Sequence, residues 1–379
     1  MRILLTELLL ILFSKSFAID FSNLNTRYWY DPGAPVSLKS RVASHNDEIT
    51  VFYKLNSENA SKISVEYLLQ DDYDEPNDQI LGIYSLDTIG TEERNVLRLR
   101  FSTDLQILVL KVYDGSNYFY FPVQLKRGGL DHPPFYPVDR EGFPIIDSYV
   151  SDEEFGISSL TMTDRYYLYR YKEAFPPADP PTGNTQRVNP TLEVDSLLSV
   201  SSGATIFPDI SHFYFVQTDT LSTDGFTLYA GPSYYPEYRD IDLIIPPVTY
   251  FSKTSEMGSI LNAKDKKVAF DRFWLTLYNT KNTARSAIAS YYTKVRAATN
   301  MFTDYKSGWK TDRGIIYLIF GNPVEVYRQN KREYWTYSNI QFEFRIISNL
   351  FAPNLYILIR DEDYETKWLE QLNLLRGGK

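Results

Sequence analysis

The sequence predicts a mainly β protein that ends in an α+β domain. It divides into an N-terminal immunoglobulin-like β-sandwich, a β-rich middle region, and C-terminal helices packed on an antiparallel-type sheet. Three observations carry this reading. Apolar residues alternate with polar ones over 31–124, a second strand-leaning stretch at 148–250 is broken by prolines, and the spacing turns helical at about 262.

The first eighteen residues are set aside before any fold argument. Arg2 precedes the apolar run "ILLTELLLILF", and Ser16-Phe17-Ala18 offers small residues at the two positions a signal peptidase inspects. This is the pattern of a signal peptide cleaved after Ala18, the run being shorter than the roughly 18 residues of a membrane span. Without cysteine the chain makes no disulfide, no thiolate metal site and no lipid anchor on an N-terminal Cys, so it is expected to be exported but not a lipoprotein. No later stretch is long and apolar enough to span a membrane as a helix.

Residues 19–130 supply the sandwich. In "ITVFYKL", Ile49, Val51, Tyr53 and Leu55 share one face; in "VLRLRF", Leu97, Leu99 and Phe101 alternate with Arg98 and Arg100. Asp114-Gly115 reads as the turn between "LQILVLKVY" and "NYFYFPVQL". Many short strands divided by turn residues predict an immunoglobulin-like module. The Pro-rich stretch 131–147 reads as a linker. The middle region, 148–261, has strands in "SHFYFVQTD" and "GFTLYAG", interrupted by the loop "FPPADPPTGNTQRVNP" at 175–190.

From 262 to 379 the α+β domain follows. Helices are predicted over 264–279 and 283–304, the second carrying Ile288, Tyr291, Val295, Ala298 and Phe302 as one apolar stripe. Beyond them "EYWTY", "IQFEFRI" and "LYILIR" read as strands. "GIIYLIF", apolar on both faces, is predicted to be a central strand covered on both sides.

The net charge of −9 over the whole chain argues against nucleic acid as a partner, which calls for clustered basic residues. Aromatic residues make up 16% of the chain, with 31 Tyr and 23 Phe. They fit strand-rich cores, and exposed ones would suit a glycan or a protein partner.

The most distinctive stretch is "GWKTDRGIIYLIFGNP", residues 308–323. Gly308, Trp309, Thr311, Asp312, Arg313 and Gly314, followed by Tyr317, Gly321 and Pro323, resemble the signature of the GWxTD-domain proteins, exported proteins of bacteria of the Bacteroidota type. "PPVTYFSKTSE", "YYTKVRAATNMF" and "YWTY" fit the same pattern, so the resemblance covers roughly 240–345. It implies a cell-envelope location and this α+β domain, and it implies no catalytic activity.

Each motif residue has a structural expectation. Gly308 ends the preceding helix in a left-handed conformation, and Trp309 pins the connection against the sheet. Thr311 and Asp312 cap backbone N–H groups. Arg313 binds a carboxylate or a carbonyl left free at the helix end. Gly314 and Gly321 bracket a strand, and Pro323 holds Asn322 extended.

Several residues offer chemical alternatives. Ser307 to Lys310 matches S-x-x-K, but K-T-G is absent. Asp312 with Glu325 is the candidate carboxylate pair for glycoside cleavage. Asp72, Asp74 and Asp78 are candidate calcium ligands, without the Gly and terminal Glu of an EF-hand loop. His45, His132 and His212 lie in separate segments, and no phosphate loop is present. No cofactor is expected. The reading is a non-enzymatic cell-envelope protein, a structural or protein-interaction module associated with an outer-membrane or secretion complex, its partner another envelope protein. The alternatives are a carbohydrate-active or cell-wall hydrolase and a non-catalytic glycan-binding protein.

Overall fold

A computed structural model describes residues 19–58, 62–74, 79–90, 95–151, 154–182 and 192–377. The leader pattern and Asp78 lie outside them. Antiparallel strands β1 (Val36–His45), β2 (Glu48–Ser57), β3 (Ser64–Gln70), β4 (Gln79–Ile80), β5 (Ser85–Gly90), β6 (Asn95–Ser102), β7 (Ile107–Tyr113) and β8 (Tyr118–Gln124) build the sandwich. Its sheets run β1-β2-β6-β5 and β4-β3-β7-β8, the arrangement of an immunoglobulin-like domain. Val51 lies opposite Leu99, and Ile49 opposite Phe101. These side chains meet Leu108, Leu110 and Phe121 of the other sheet in one core. At the β7–β8 turn Asp114 Oδ1 accepts from the amides of Ser116 and Asn117, while Gly115 takes φ +97°.

The stretch 131–147 is more than a linker. Its "FYPV" forms β9 (Phe135–Val138), which pairs with β11 (Gly156–Ser159). The Tyr136 ring packs tilted, with its centre 4.4 Å from that of Phe52, which points out of the sandwich on the opposite face from Val51. The period-two reading caught the inner face of the first sheet; the outer face is also covered, and by this segment.

The middle sheet has the order β10-β15-β14-β12-β13, with β10 at Tyr149–Val150, β12 at Arg165–Lys172, β13 at Ser196–Ser201, β14 at His212–Gln217 and β15 at Phe226–Ala230. One face packs Tyr166, Tyr214 and Leu228 against Phe135 and Ile157. The other packs Tyr171, Phe213 and Tyr229 against Tyr305 and Phe351 of the C-terminal part. This sheet is therefore a layer shared by its neighbours, and β14 is a strand covered on both faces.

The C-terminal part contains α1 (Ile241–Ile244), α2 (Thr254–Leu261), α3 (Lys266–Tyr278), α4 (Lys281–Phe302), α5 (Asp312–Phe320) and α6 (Glu365–Leu375). It also holds the antiparallel meander β16 (Glu325–Gln329), β17 (Arg332–Tyr337), β18 (Ile340–Ile347) and β19 (Leu355–Leu358). The two expected long helices are α3 and α4. Asp265 and Thr280 cap them by accepting from Val268 N and Thr283 N. Tyr291, Val295, Ala298 and Phe302 form the buried stripe of α4, with Ile288 half-buried beside it.

"GIIYLIF" is a helix, not a strand. Ile315 to Ile319 are buried all round, and apolar cover on every side suits a core helix as well as a central strand. Its ends decide the matter: Thr311 accepts from Gly314 N as N-cap, Asp312 occupies the first turn, and Gly321 closes the helix at φ +80°.

Residues 19–30 do not belong to the sandwich alone. Thr26 N donates to Val326 O at 2.8 Å, and Arg328 N donates to Phe21 O at 3.0 Å. The segment thus covers the free edge of β16, where unpaired backbone groups would otherwise stand open. Phe21 and Trp29 pack on the outer face of the β3–β7 sheet, while Tyr30 enters the C-terminal core.

Candidate functional site

Around the motif, close backbone packing explains the glycines. Gly308 is not left-handed; it sits in the turn Gly308–Lys310, and a Cβ there would lie 2.3 Å from Ala298 O. Gly314 brackets no strand. It lies inside α5, where a Cβ would come 2.0 Å from Gly308 O. The two glycines let the 308–310 turn lie backbone to backbone against the end of α4 on one side and the start of α5 on the other. Thr311 completes the junction by donating to Gly308 O at 2.7 Å. Trp309 is buried edge-on against Tyr250, within the helical layer rather than on the sheet.

Ser307 and Lys310 do not form a nucleophile pair. The buried Ser307 hydroxyl lies 2.9 Å from Tyr238 Oη. Lys310 turns instead to Glu173 at 2.8 Å, and donates to Phe175 O. Asp312 bonds Arg360 at 2.7 Å and accepts from Leu358 N at 3.0 Å. Its side chain is 14% exposed and that of Arg360 is 6% exposed, so this is a buried ion pair. Arg360 also donates to Asp179 O and Pro180 O, while Ala178 N donates to Lys310 O at 2.9 Å. The Pro-rich loop, expected only to be irregular, lies across the motif over 175–182 and is held from both sides.

Arg313 corrects another expectation. It meets neither a carboxylate nor a helix-end carbonyl; it donates to Tyr30 Oη at 3.0 Å, and Tyr30 donates to Glu333. Glu333 is fully buried and also accepts from Trp335 Nε1 at 2.8 Å. The Arg313 guanidinium lies 3.4 Å from the centre of the Tyr356 ring, and Arg328 lies 3.9 Å from that of Tyr73. Arg328 donates to Tyr356 Oη at 2.6 Å. Burial raises the Tyr30 phenol well above its ordinary value, reinforced by the charge of Glu333.

Sequence reasoning missed Tyr30, Glu333, Arg328, Tyr356 and Arg360. One signal was available for Glu333: in "REYWTY" it alternates with Trp335 and Tyr337, placing a carboxylate on an apolar strand face.

Two hollows adjoin the motif. One, of about 190 Å³, is lined by Asp304, Tyr305, Asp312, Arg313, Tyr356 and Arg360 among others. The second, of about 380 Å³, opens where sandwich, middle sheet and C-terminal part meet. Both include Asp304, Arg313 and Tyr356. Burial pushes the Asp304 carboxyl up to about 6, against the opposing pull of Lys306 and Arg313.

The remaining candidates stay apart. Glu325 stands on β16 opposite Thr336 and does not line the hollow that contains Asp312. Asp72 accepts from the amide of Tyr73 at 2.7 Å, and Asp74 is half-buried nearby. Among the described residues no group of three or more His, Cys, Asp or Glu side chains is placed to hold a metal ion. His45 ends β1, His212 starts β14, and His132 lines the larger hollow. Burial lowers the His132 imidazole to about 4. Among the described residues no helix is long and apolar enough to cross a membrane.

With this geometry in place, the chain can be set against known proteins. Residues 212–377 match the profile of one family, described as the GWxTD domain. The match begins at the first residue of β14, well before the helical texture at 262, so the family unit takes in two strands of the middle sheet. No curated protein matches the sequence.

Proposed function

We propose, since this chain belongs to the GWxTD-domain family, that it is a non-enzymatic exported protein of the cell envelope. It acts as a structural or protein-interaction module beside an outer-membrane or secretion complex, and its partner is another envelope protein. The observation that carries this reading is the internal use of the motif. Asp312 is committed to Arg360 and Leu358 N, Thr311 to its helix, and Lys310 to Glu173. A hydrolase would keep two carboxylates facing one substrate across roughly 5–10 Å, whereas Asp312 is ion-paired and Glu325 stands elsewhere. The leader-like N-terminus supports export, and the immunoglobulin-like sandwich supplies a module of the binding or spacing kind.

The test is crosslinking in intact cells, followed by purification of the tagged protein and mass spectrometry. A stoichiometric envelope partner is expected. Recovery of the protein alone, together with hydrolysis of a cell-wall glycan that Asp312→Asn abolishes, would overturn the reading.

A further inference from the structure

Among the described residues every sheet has free edges, and all but one of these are guarded in a recognisable way. β4 and β10 are only two residues long. β9, β11 and β19 have four residues each, and on β19 Leu358 N is already taken by Asp312. β1 carries Lys39 and Arg41, β5 carries Asp87, and β8 carries Pro122. β16 lies under residues 19–30. Short length, charge, proline and a covering segment are the usual protections against pairing with another chain.

β13 has none of them. It ends the order of the middle sheet, runs for six residues as "SLLSVS", and carries neither charge nor proline. Leu197, Leu198 and Ser199 are exposed. The register sets Ser201 opposite Arg165, and one step beyond it Ser202 N donates to Asp164 O at 2.9 Å. Bonded and unbonded pairs alternate along an antiparallel ladder. Val200 and Leu198 therefore turn their backbone groups towards β12, while Leu197, Ser199 and Ser201 turn theirs outward. No strand among the described residues pairs with β13 on that side. Side chains alternate too: Val200 packs with the core around Tyr166, Leu198 shares its face, and Leu197 lies on the other.

We propose that β13 pairs antiparallel with β13 of a second copy of this chain, about a two-fold axis at Ser199. The outward groups are symmetric about that residue, as an isologous interface requires. Leu197 meets Ser201 of the second copy, Ser199 meets its own counterpart, and each pair exchanges both backbone bonds. In the closer, unbonded pairs Leu198 faces Val200 of the second copy, which carries the apolar face around Tyr166 across the axis. The whole chain has a net charge of −9, yet no residue of β13 is charged, so no like charges stand opposite each other in the ladder. The five strands of the middle sheet continue directly into those of the second copy.

The experiment exploits the absence of cysteine, because a single introduced thiol then reports only its own position. Residues in a bonded antiparallel pair have Cα atoms about 5.5 Å apart, within reach of a disulfide. Counterparts of Ser201 are offset along the strands by roughly 13 Å, out of reach. Under mild oxidation, Ser199→Cys should join two full-length chains about tenfold faster than Ser201→Cys, or more. The same comparison in intact cells should give the same crosslinked pair. Sedimentation equilibrium of the wild type should show a dimer at about 100 µM that dissociates on dilution, as suits a small contact. Ser199→Pro removes the central outward N–H and no bond to β12, so it should weaken the dimer about tenfold or more. Monomeric wild type at that concentration, equal crosslinking at the two positions, or a dimer unmoved by Ser199→Pro would overturn the proposal. Crosslinking in cells to a different protein in place of a second copy would overturn it as well. The thiol comparison decides even where Ser199→Pro fails to fold.

Discussion

Replacing Asp312 with Ala is the sharpest test of the motif as a structural keystone. The substitution removes one partner of a pair whose side chains are 6% and 14% exposed, and leaves Arg360 buried with only carbonyl acceptors. Breaking a buried pair from one side typically costs about 3–5 kcal/mol, because the remaining charge stays desolvated. Leu358 N loses its acceptor as well. Asp312→Asn keeps an oxygen for that amide and should cost less. Removing both charges, as in Asp312→Asn with Arg360→Met, should recover much of the loss. Urea unfolding of wild type, Asp312→Asn, Arg360→Met and the double variant gives the cycle, with Asp312→Ala measured beside it, and hydrogen exchange at the amides of Ala178 and Asp361 reports whether the strip 175–182 loosens. An Asp312→Ala variant that unfolds within about 0.5 kcal/mol of wild type, the range of an ordinary surface change, would refute the keystone reasoning.

Three further outcomes are expected. Gly314→Ala, which drives a Cβ to 2.0 Å from Gly308 O, should destabilise by about 3 kcal/mol or more, while Gly82→Ala, with open space around it, should be nearly neutral; thermal unfolding of both variants checks the contrast. Asp304 has a folded pKa of about 6 against an ordinary 3.8, so its contribution is fully present below the unfolded value and is lost as pH rises through 6. The stability advantage of Asp304→Asn over wild type should therefore grow between pH 4 and pH 7, by on the order of 1–2 kcal/mol after discounting for its partial solvent contact; unfolding midpoints across that range would contradict this if the difference stayed flat. Phe21→Ala should cost about 3–5 kcal/mol and raise hydrogen exchange at the Thr26 amide, which donates to Val326 O; an exchange rate that stays at the wild-type value would detach Phe21 from that strap.

Local pattern made much of the fold legible, and the misses share a physical cause. The sandwich strands and α4 follow from periodicity because each has one covered face. α5 was misassigned because complete burial erases periodicity, and only its capping residues Thr311 and Gly321 could have corrected it. The roles of Gly308 and Gly314 depend on how closely the 308–310 turn packs between α4 and α5, which no local spacing encodes. Tyr30 reaches Glu333 from 303 positions away, and Arg360 reaches Asp312 from 48. The motif was visible in sequence, but the partners that explain it come from tertiary structure.

The strap of residues 19–30 has a kinetic consequence. Thr26 bonds Val326 across 300 positions, so although Phe21 and Trp29 can already pack on the β3–β7 sheet, the part of the strap that edges β16 has no partner until β16 has emerged. During synthesis the backbone of Thr26 and the ring of Tyr30 wait for their C-terminal partners, and closing so long a loop is slow as well as entropically unfavourable. The strap is therefore among the last contacts to form. Contacts absent from the folding transition state act mainly on unfolding, so the strap works as a latch: it does little to speed assembly and holds the finished protein shut.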